Sequence, residues 1–448
     1  MTTEWTGTLK EQPVPSGYKW SLAGCVLSMA LALLAIVDFR RGFLFTLIPD
    51  FGGYVAKTPY FVFSPSQVLM LALGIAGLVL SYRSLKRYET ELRGVNLEKY
   101  VRGLTFILFA LLVVDLFTYR GVAATRAAVA GKVGADWLQA FGVVGWLKPM
   151  ALTVSYMLTV WHATFLGVLL AGLAQTVLPR YLKSFFARTG FGGSLFGALF
   201  ALPQPFCSCC ASVIAPSLVR QGASTSFSLA FVVGAPMLNL STLILAAMLL
   251  PTPYAVTRIL AGIVLTVLAT YGVARLAERY DVISETVPSN RLVRWIERWV
   301  NTYTRAFHLD ELVRNRHLDT PASFLPTWLY VSGRIALILV PMLLLWSVVT
   351  AAIFQVLPSA FGNNLPSVVI AAVAGTLLMS STWTEIPVAL QMIQAGFYGP
   401  AATLLVVLPP VSLPCLLILG GCIARFRVVA LLGLVIMVAG IIAGLMFL

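Results

Sequence analysis

Long uninterrupted apolar stretches are the feature that most constrains how this 448-residue chain can fold. A helix needs about 20 apolar residues to cross the hydrocarbon core of a bilayer, where it must satisfy its own backbone hydrogen bonds. Hydrophobic residues make up 59% of the chain and charged residues 11%, which argues against a soluble globular enzyme. The pattern predicts an all-α polytopic membrane protein. Nine stretches have the length of a crossing: 20–37, 66–82, 103–119, 151–178, 223–249, 254–274, 327–357, 399–421 and 427–448.

Two further apolar stretches are too long for one straight helix and are interrupted in the middle. Pro203 and Pro205 break the stretch 191–220, while a Ser-Ser-Thr run at 380–382 and Pro387 interrupt 367–395. Irregular backbone is tolerated at membrane depth only where protein or a water-filled cavity surrounds it. We therefore expect each stretch to form a re-entrant hairpin of two half-helices.

The distribution of basic residues predicts the orientation. The chain has 31 Lys and Arg against 17 Asp and Glu. With the N-terminus in the cytoplasm, 22 of the basic residues fall on the cytoplasmic side and 8 outside, Arg258 among the latter, while Arg334 lies inside a span. Cytoplasmic loops are enriched in Lys and Arg, so this bias explains the positive charge better than nucleic-acid binding does. We expect a multi-pass protein of the cell (inner) membrane, with the first hairpin entering from the cytoplasm and the second from outside.

The two hairpins begin two copies of one pattern. Gly222 and Gly396 are 174 residues apart, and so are Pro236 and Pro410. Each copy runs from a broken hairpin through a glycine to a crossing interrupted by proline. With the predicted topology, the copies have opposite orientations. Inverted repeats with broken helices are typical of secondary transporters, which bind their solute near the midplane between the repeats.

These features divide the chain into five parts: a cytoplasmic tail (1–19), an N-terminal four-helix membrane region (20–180), a first permease repeat (191–275), a cytoplasmic basic loop (276–326) and a second permease repeat (327–448). In the loop, apolar residues recur at helical spacing among arginines, namely Leu292, Trp295, Ile296, Trp299 and Tyr303. This spacing favours an amphipathic helix on the inner membrane surface, with partner docking as the alternative.

The residues at the first hairpin resemble a known family. Cys207, Ser208 and Cys209, followed by Leu218 and Gly222, are similar to the motif of the predicted permeases that include the ArsP-type trivalent organoarsenical efflux permeases. Pro236 fits a later proline of that motif. The resemblance covers roughly 190–275 and 330–425. It implies permease activity and leaves the solute open.

Two positions depart from the family motif. Cys210 stands where the motif has glycine, and Val213 stands where it has proline, with Pro216 three residues later. The first hairpin is therefore expected to bend differently from the family pattern.

Cysteines at the first hairpin are the first candidates for solute contact. Cys207, Cys209 and Cys210 offer soft thiol ligands for thiophilic centres such as trivalent arsenic, copper(I) or zinc. On a helix these three side chains do not share one face, whereas a non-helical tip would relax that restriction. Cys415 is placed to supply a further ligand from the second repeat. The alternative is that all four are small residues that permit close packing.

Glu385 is the sharpest single signal, because it is the only acidic residue after Asp319 and lies within the second hairpin. A charged side chain at the bilayer centre costs roughly 2.5–3.5 kcal/mol on insertion scales, so such residues usually face a cavity, form pairs or carry protons. We expect Glu385 to contact the solute or to couple transport to protons. An ion pair with Arg334 is the structural alternative.

Other polar residues complete the predicted site. Ser208, Asn239, Thr382 and Thr384 are expected to contact the solute. Hinge positions are expected at the breaks and turns, namely Pro203, Pro205, Gly222, Pro236, Pro387, Gly396 and Pro410. His162 is expected to make an interhelical hydrogen bond, with a proton relay as the alternative. Asp115 is expected near a helix end at the membrane interface.

The sequence carries no metalloprotease motif and no phosphate-binding glycine loop, so neither an enzyme nor a cofactor or metal site is predicted. The leading hypothesis is a secondary permease that moves a small thiophilic or oxyanion-like solute by alternating access, with efflux of trivalent arsenicals as one case. A membrane thiol/disulfide redox protein and a non-transporting membrane partner subunit are the alternatives. The expected partners are the solute, the lipid bilayer and either further copies of the chain or an accessory membrane subunit.

Overall fold

The computed structural model describes residues 14–36, 65–92, 94–130, 147–181, 187–204, 206–220, 222–284, 318–356, 362–378, 385–423 and 426–448, and these ranges contain helices and no β-strand. The helices before the first hairpin are α1 (Ser16–Ile36), α2 (Pro65–Glu91), α3 (Glu98–Ala130) and α4 (Lys148–Tyr181). Those of the first repeat are α5 (Gly190–Ala201), α6 (Ser208–Arg220), α7 (Thr225–Met237), α8 (Leu240–Leu249), α9 (Thr252–Ile263), a π-helical segment (Val264–Ala269) and α10 (Thr270–Ser284). The remainder are α11 (Pro321–Val356), α12 (Leu365–Leu377), α13 (Glu385–Gln394), α14 (Tyr398–Val407), α15 (Leu413–Ile423) and α16 (Phe426–Leu445).

The helices confirm an all-α polytopic membrane protein. In the described part of the chain, seven helical stretches are long and apolar enough to cross a membrane, and four shorter apolar helices accompany them. Each of the nine predicted crossings lies in a helix or a helix pair. The fifth and eighth are the broken pairs α7–α8 and α14–α15.

Each of the two stretches predicted to form a hairpin contains two short helices. The first pair, α5 and α6, is separated at 202–207, where Pro203 lies, and Pro205 is outside the described residues. In the second pair, α12 ends at Leu377 and α13 begins at Glu385, and residues 379–384 lie outside the described residues. Pro387, which was expected to interrupt this stretch, is the third residue of α13. Proline is tolerated there, since the first N–H groups of a helix have no intrahelical acceptor.

The helix bounds repeat at the offset of 174 residues. Shifted by that offset, α4 falls on α11, α5 on α12, α6 on α13, α7 on α14 and α8 on α15, to within four residues at each end. The start of α9 at Thr252 falls on the start of α16 at Phe426. The bounds thus extend the repeated pattern by one helix before each hairpin.

The turn after each second half-helix is built in the same way. Gly222 and Gly396 have φ angles of +92° and +84°, in the left-handed region that favours glycine. The N–H groups of Gly222 and Ala223 donate to Val219 and Leu218, and those of Gly396 and Phe397 donate to the equivalent carbonyls, Ile393 and Met392. Both turns are therefore Schellman caps.

Helix packing follows the same repeat. α5 packs on α7 as α12 packs on α14, α6 contacts α7 as α13 contacts α14, and α4 packs along its own counterpart α11. The main hydrophobic core joins residues of both repeats. A second cluster combines α8 and α9 with α13 and α14. The two repeats therefore share one core.

The helices before the repeats form a separate layer. α1 packs on α2, and α3 packs on α4 and also contacts α8 and α13. The predicted basic loop lies largely outside the described residues, because α10 ends at Ser284 and description resumes at Leu318. Its apolar residues at helical spacing, 292–303, are among those outside.

Candidate functional site

Three cysteines surround the start of α6. Cys207 precedes the helix, and its sulfur accepts a hydrogen bond from the Cys210 N–H at 3.4 Å. The sulfur atoms of Cys207 and Cys210 are 3.3 Å apart. Cys207 is partly exposed, whereas Cys209 and Cys210 are buried. The N-terminus of α6, with its partial positive charge, therefore lies next to the thiols, a setting that favours a bound anion.

A fourth thiol reaches this cluster from the second repeat. Cys415, in α15, lies within side-chain hydrogen-bonding reach of Cys209 and of Ser208 and Ser212 on α6. The Ser412 hydroxyl, just before α15, donates to the Cys415 sulfur at 2.9 Å. The structure thus brings Cys207, Ser208, Cys209, Cys210 and Cys415 together, and we call these five residues the thiol cluster.

The thiols make pairwise contacts. None of the described cysteines forms a disulfide. Across the described residues, no group of three or more His, Cys, Asp or Glu side chains has an arrangement suited to holding a metal ion. The close contacts are Cys207 with Cys210 and Cys209 with both Cys207 and Cys415. This geometry presents sulfur pairs, whereas Cys25 lies apart and packs between α1 and α2.

Glu385 begins α13 and forms a buried ion pair with Arg258 of α9. The Arg258 Nη2 and Glu385 Oε1 atoms are 3.6 Å apart, and the residues are 0% and 1% exposed. The structural alternative for Glu385 was an ion pair with Arg334, but the described partner is Arg258, and Arg334 is an exposed residue of α11. Arg258 had been assigned to the outer side, but α9 begins at Thr252 and carries it into the protein interior.

Arg258 also holds the break between α7 and α8. Its two terminal nitrogens donate to the carbonyls of Pro236 and Met237, each at 3.2 Å. Those carbonyls lie at the end of α7, where intrahelical donors run out. The guanidinium thus joins a helix break of the first repeat to a carboxylate of the second.

Asn239 serves the same break as the N-cap of α8. Its side-chain oxygen accepts from the Thr242 N–H at 2.8 Å and from the Thr242 hydroxyl at 2.7 Å. Its amide donates to the Ala235 carbonyl at 2.7 Å. The side chain that was expected to contact solute is therefore engaged in holding the break, as capping asparagines are.

The helix breaks of the first repeat lie side by side. The Leu240 N–H, at the start of α8, donates to the Leu202 carbonyl at the end of α5 at 3.0 Å. The thiol cluster follows one of these breaks and Arg258 holds the other. A cavity of about 290 Å³ between α3, α4 and α5 reaches Pro203 and Gln204 in the first break, with Arg102 at its lining. We call the thiol cluster and the Arg258–Glu385 pair together the inter-repeat site.

The Arg258–Glu385 pair has no charged equivalent at the two positions that the repeat relates to it. At the offset of 174 residues, Arg258 corresponds to Leu432 and Glu385 to Ala211. Both of these are buried apolar residues. The repeats therefore share a backbone plan and differ in side-chain chemistry.

Of the remaining predicted positions, two cannot be placed and two can. Thr382 and Thr384 lie outside the described residues. Pro410 lies in the turn after α14, and Pro236 lies in the last turn of α7.

Sequence reasoning missed Arg258 and the buried position of Asp115. In both cases the sequence carried a signal, because one charged residue stands within an apolar stretch long enough to form a helix.

Comparison with known proteins shows the family. The model of a family described as a predicted permease, ArsP_1, matches residues 146–448. The chain belongs to this permease family. The resemblance seen at the first hairpin is thereby confirmed, and the match begins just before α4 and contains both repeats of the permease.

The permease has relatives in bacteria and archaea. It is 31% identical to the UPF0718 protein YraQ of Escherichia coli K12 over 335 residues, 73% of this chain and 88% of that protein. It is 29% identical to the UPF0718 protein MJ0584 of Methanocaldococcus jannaschii over 128 residues, 26% of this chain and 35% of that protein. No solved structure matches it. Family membership indicates a transporter rather than an enzyme.

Proposed function

We propose that this permease moves a small thiophilic solute by alternating access and binds it at the inter-repeat site. The observation that carries the proposal is that two contacts of this site, Cys209 with Cys415 and Arg258 with Glu385, join one repeat to the other. A site built from both repeats changes shape when one repeat moves against the other, as alternating access requires.

Sulfur pairs favour one class of thiophilic solute. A monosubstituted arsenic(III) compound, R–As(OH)₂, reacts with two thiols to form two As–S bonds and releases two molecules of water. The pairwise contacts at Cys207–Cys210 and Cys209–Cys415 suit such a centre better than an ion that needs three sulfur ligands. Trivalent organoarsenicals are therefore our preferred solutes, and efflux is the proposed direction.

The Arg258–Glu385 pair gives the site a second, charged half. Ser208 adjoins the thiols, and Thr382 and Thr384 precede Glu385 in the chain, so we propose them as further contacts. An oxyanion-like solute would have to replace Glu385 beside Arg258. The released Glu385 would then take up a proton, since a buried carboxylate is costly without a cation. Proton coupling through Glu385 thus depends on solute binding at Arg258.

The orientation of the repeats completes the proposal. We propose that they are inverted, that both half-helix pairs are re-entrant, and that the N-terminus is cytoplasmic in a cell (inner) membrane. The basic-residue bias supports this, and the burial of Arg258 removes one positive charge from the outer side. Helices α1–α3 precede the family match, and we propose that they form a scaffold or an interface to another subunit.

The test is growth and solute accumulation in a sensitive bacterial host exposed to monomethylarsenite. The chains to compare, at matched membrane expression, are wild type, Cys207→Ser/Cys209→Ser, Glu385→Gln, and Cys25→Ser as a buried-cysteine control outside the site. We expect wild type and Cys25→Ser to protect the cells and to lower accumulation, and the other two variants to lose most of that effect. An expressed, folded wild-type chain that gives no protection would remove arsenicals as the solute.

A thiol/disulfide function is the second candidate, because Cys207 and Cys210 have Cys-X-X-Cys spacing at a helix N-terminus and their sulfurs are 3.3 Å apart. This candidate predicts a reducible Cys207–Cys210 disulfide in the isolated membrane and full activity in Glu385→Gln. Transport that is lost in Glu385→Gln would speak against it.

A further inference from the structure

A second buried carboxylate lies outside the inter-repeat site. Asp115 of α3 was expected at the membrane interface, but the structure buries it, with 8% of its surface exposed. α3 continues to Ala130, so Asp115 lies well inside the helix. Neither carboxylate oxygen has a hydrogen-bond partner among the described residues. A buried carboxylate in this condition is expensive if ionised alone.

The side chain that faces Asp115 is His162 of α4. The His162 Nε2 and Asp115 Oδ1 atoms are 3.9 Å apart, and His162 is 1% exposed. Trp161 packs edge-on against the imidazole with ring centroids 5.1 Å apart. A separation of 3.9 Å is too long for a direct hydrogen bond, but it is short enough for strong electrostatic coupling at a buried site.

Among the described residues, the helices around Asp115 carry seven other ionisable side chains. The helices that pack most closely on α3 are α1, α4, α8, α11 and α13. Their other ionisable side chains with a described position are Tyr18, Lys19, Cys25, Lys148, Tyr330, Arg334 and Glu385. Within the described chain, His162 is the one group found to act on the charge of Asp115. The pair therefore has no permanently charged member.

The lack of a permanently charged member distinguishes the Asp115–His162 pair from the Glu385–Arg258 pair. Arginine stays charged, so Arg258 keeps Glu385 ionised unless something replaces it. With histidine as the partner, one shared proton makes the pair neutral overall, either as a carboxylate with imidazolium or as a carboxylic acid with imidazole. Loss of that proton leaves one uncompensated buried charge. The pair can thus hold one proton while closed and release it when water reaches it.

The position of the pair links it to the thiols. Gly167 lies five residues after His162 on α4, about 7.5 Å along the helix. A Cβ atom at Gly167 would be 3.1 Å from the Cys210 sulfur. A movement of α4 against the thiol cluster would therefore also move His162 relative to Asp115.

We propose that Asp115 and His162 form a second proton-binding site, beside the one proposed at Glu385, that takes part in coupling transport to protons. The proton-binding part stands on the geometry alone, and the coupling part rests on the proposed permease function. The ligand is one proton per chain, held jointly by the carboxylate and the imidazole. It passes to water on whichever side the moving helices open.

The test is the protonation of His162 in the full-length protein, followed by NMR of labelled histidine in a detergent or nanodisc sample. The chain has three histidines, so His308→Gln/His317→Gln leaves His162 as the one reporter. We expect the His162 signals to report one protonation step. In Asp115→Asn that step should change, because the carboxylate lies 3.9 Å from the imidazole. Glu98→Gln, a partly exposed carboxylate on the same helix, should leave the titration unchanged.

Two results would overturn the proposal: a His162 that keeps one protonation state at every pH at which the protein stays folded, or an Asp115→Asn titration that coincides with the parent. The first result is measured on the parent protein alone, so it cannot be attributed to poor folding of the Asp115→Asn variant. The readout needs no solute. A normal His162 titration with no arsenical transport would therefore count against the proposed solute and leave the proton site standing.

Discussion

The first repeat brings three thiols to the start of α6, whereas the equivalent helix of the second repeat, α13, begins with a carboxylate. The helix bounds, the Schellman caps at Gly222 and Gly396 and the packing of the half-helices are the same in both. At equivalent positions the side chains differ: Ala211 and Leu432 occupy the places of Glu385 and Arg258. A duplicated backbone has thus kept its caps and breaks, while its two halves have acquired different chemistry.

The largest expected effect comes from removing that difference. Arg258→Leu places in α9 the residue found at the equivalent position of α16 and leaves Glu385 buried without its cation. Breaking a buried pair in this way costs about 3–5 kcal/mol. We expect a large loss of thermal stability in detergent, measured by intrinsic fluorescence and gel filtration.

The double variant Arg258→Leu/Glu385→Ala replaces both charged residues by the residue types found at the equivalent positions, Leu432 and Ala211. It should recover most of the lost stability, because no buried charge remains, while transport stays lost. A double variant as unstable as Arg258→Leu would show that the bonds to the Pro236 and Met237 carbonyls dominate instead of the ion pair.

A smaller effect tests the likeness of the repeats. Gly222→Ala and Gly396→Ala force a left-handed conformation on an L-residue, which costs about 1–2 kcal/mol. We expect equal losses of thermal stability at the two positions. Gly103→Ala is the control, since a Cβ atom there meets nothing within 4 Å and alanine favours the helix. Clearly unequal losses would mean that the two turns are not equivalent in energy.

Much of the architecture could be predicted because it depends on local properties of the chain. Apolar length located the crossings, and Pro203 located the break between α5 and α6. The two glycines and two prolines at one offset predicted a repeat that the helix bounds then extended to α4 and α11. Pro387 was misplaced, because proline breaks a helix interior but fits its first turn.

The pairings of the site could not be predicted, because they join distant parts of the chain. Nothing local tells that Cys209 lies against Cys415, or that Glu385 pairs with Arg258 instead of Arg334. Arg258 was taken for an interfacial charge because it lies near the start of an apolar stretch. Its burial depends on α9 beginning at Thr252 and on the carbonyls that the break at Pro236 exposes. Asp115 was misjudged in the same way, because α3 extends beyond the apolar stretch.

The most direct test of the shared site is the thermal stability of the purified permease with and without monomethylarsenite. A ligand at 100 times its Kd stabilises the folded state by about 2.7 kcal/mol. The account predicts clear stabilisation of wild type and of Cys25→Ser, and its loss in both Cys209→Ser and Cys415→Ser, because the two thiols belong to different repeats but to one site. Full stabilisation of Cys415→Ser, with loss in Cys209→Ser alone, would contradict a site shared between the repeats.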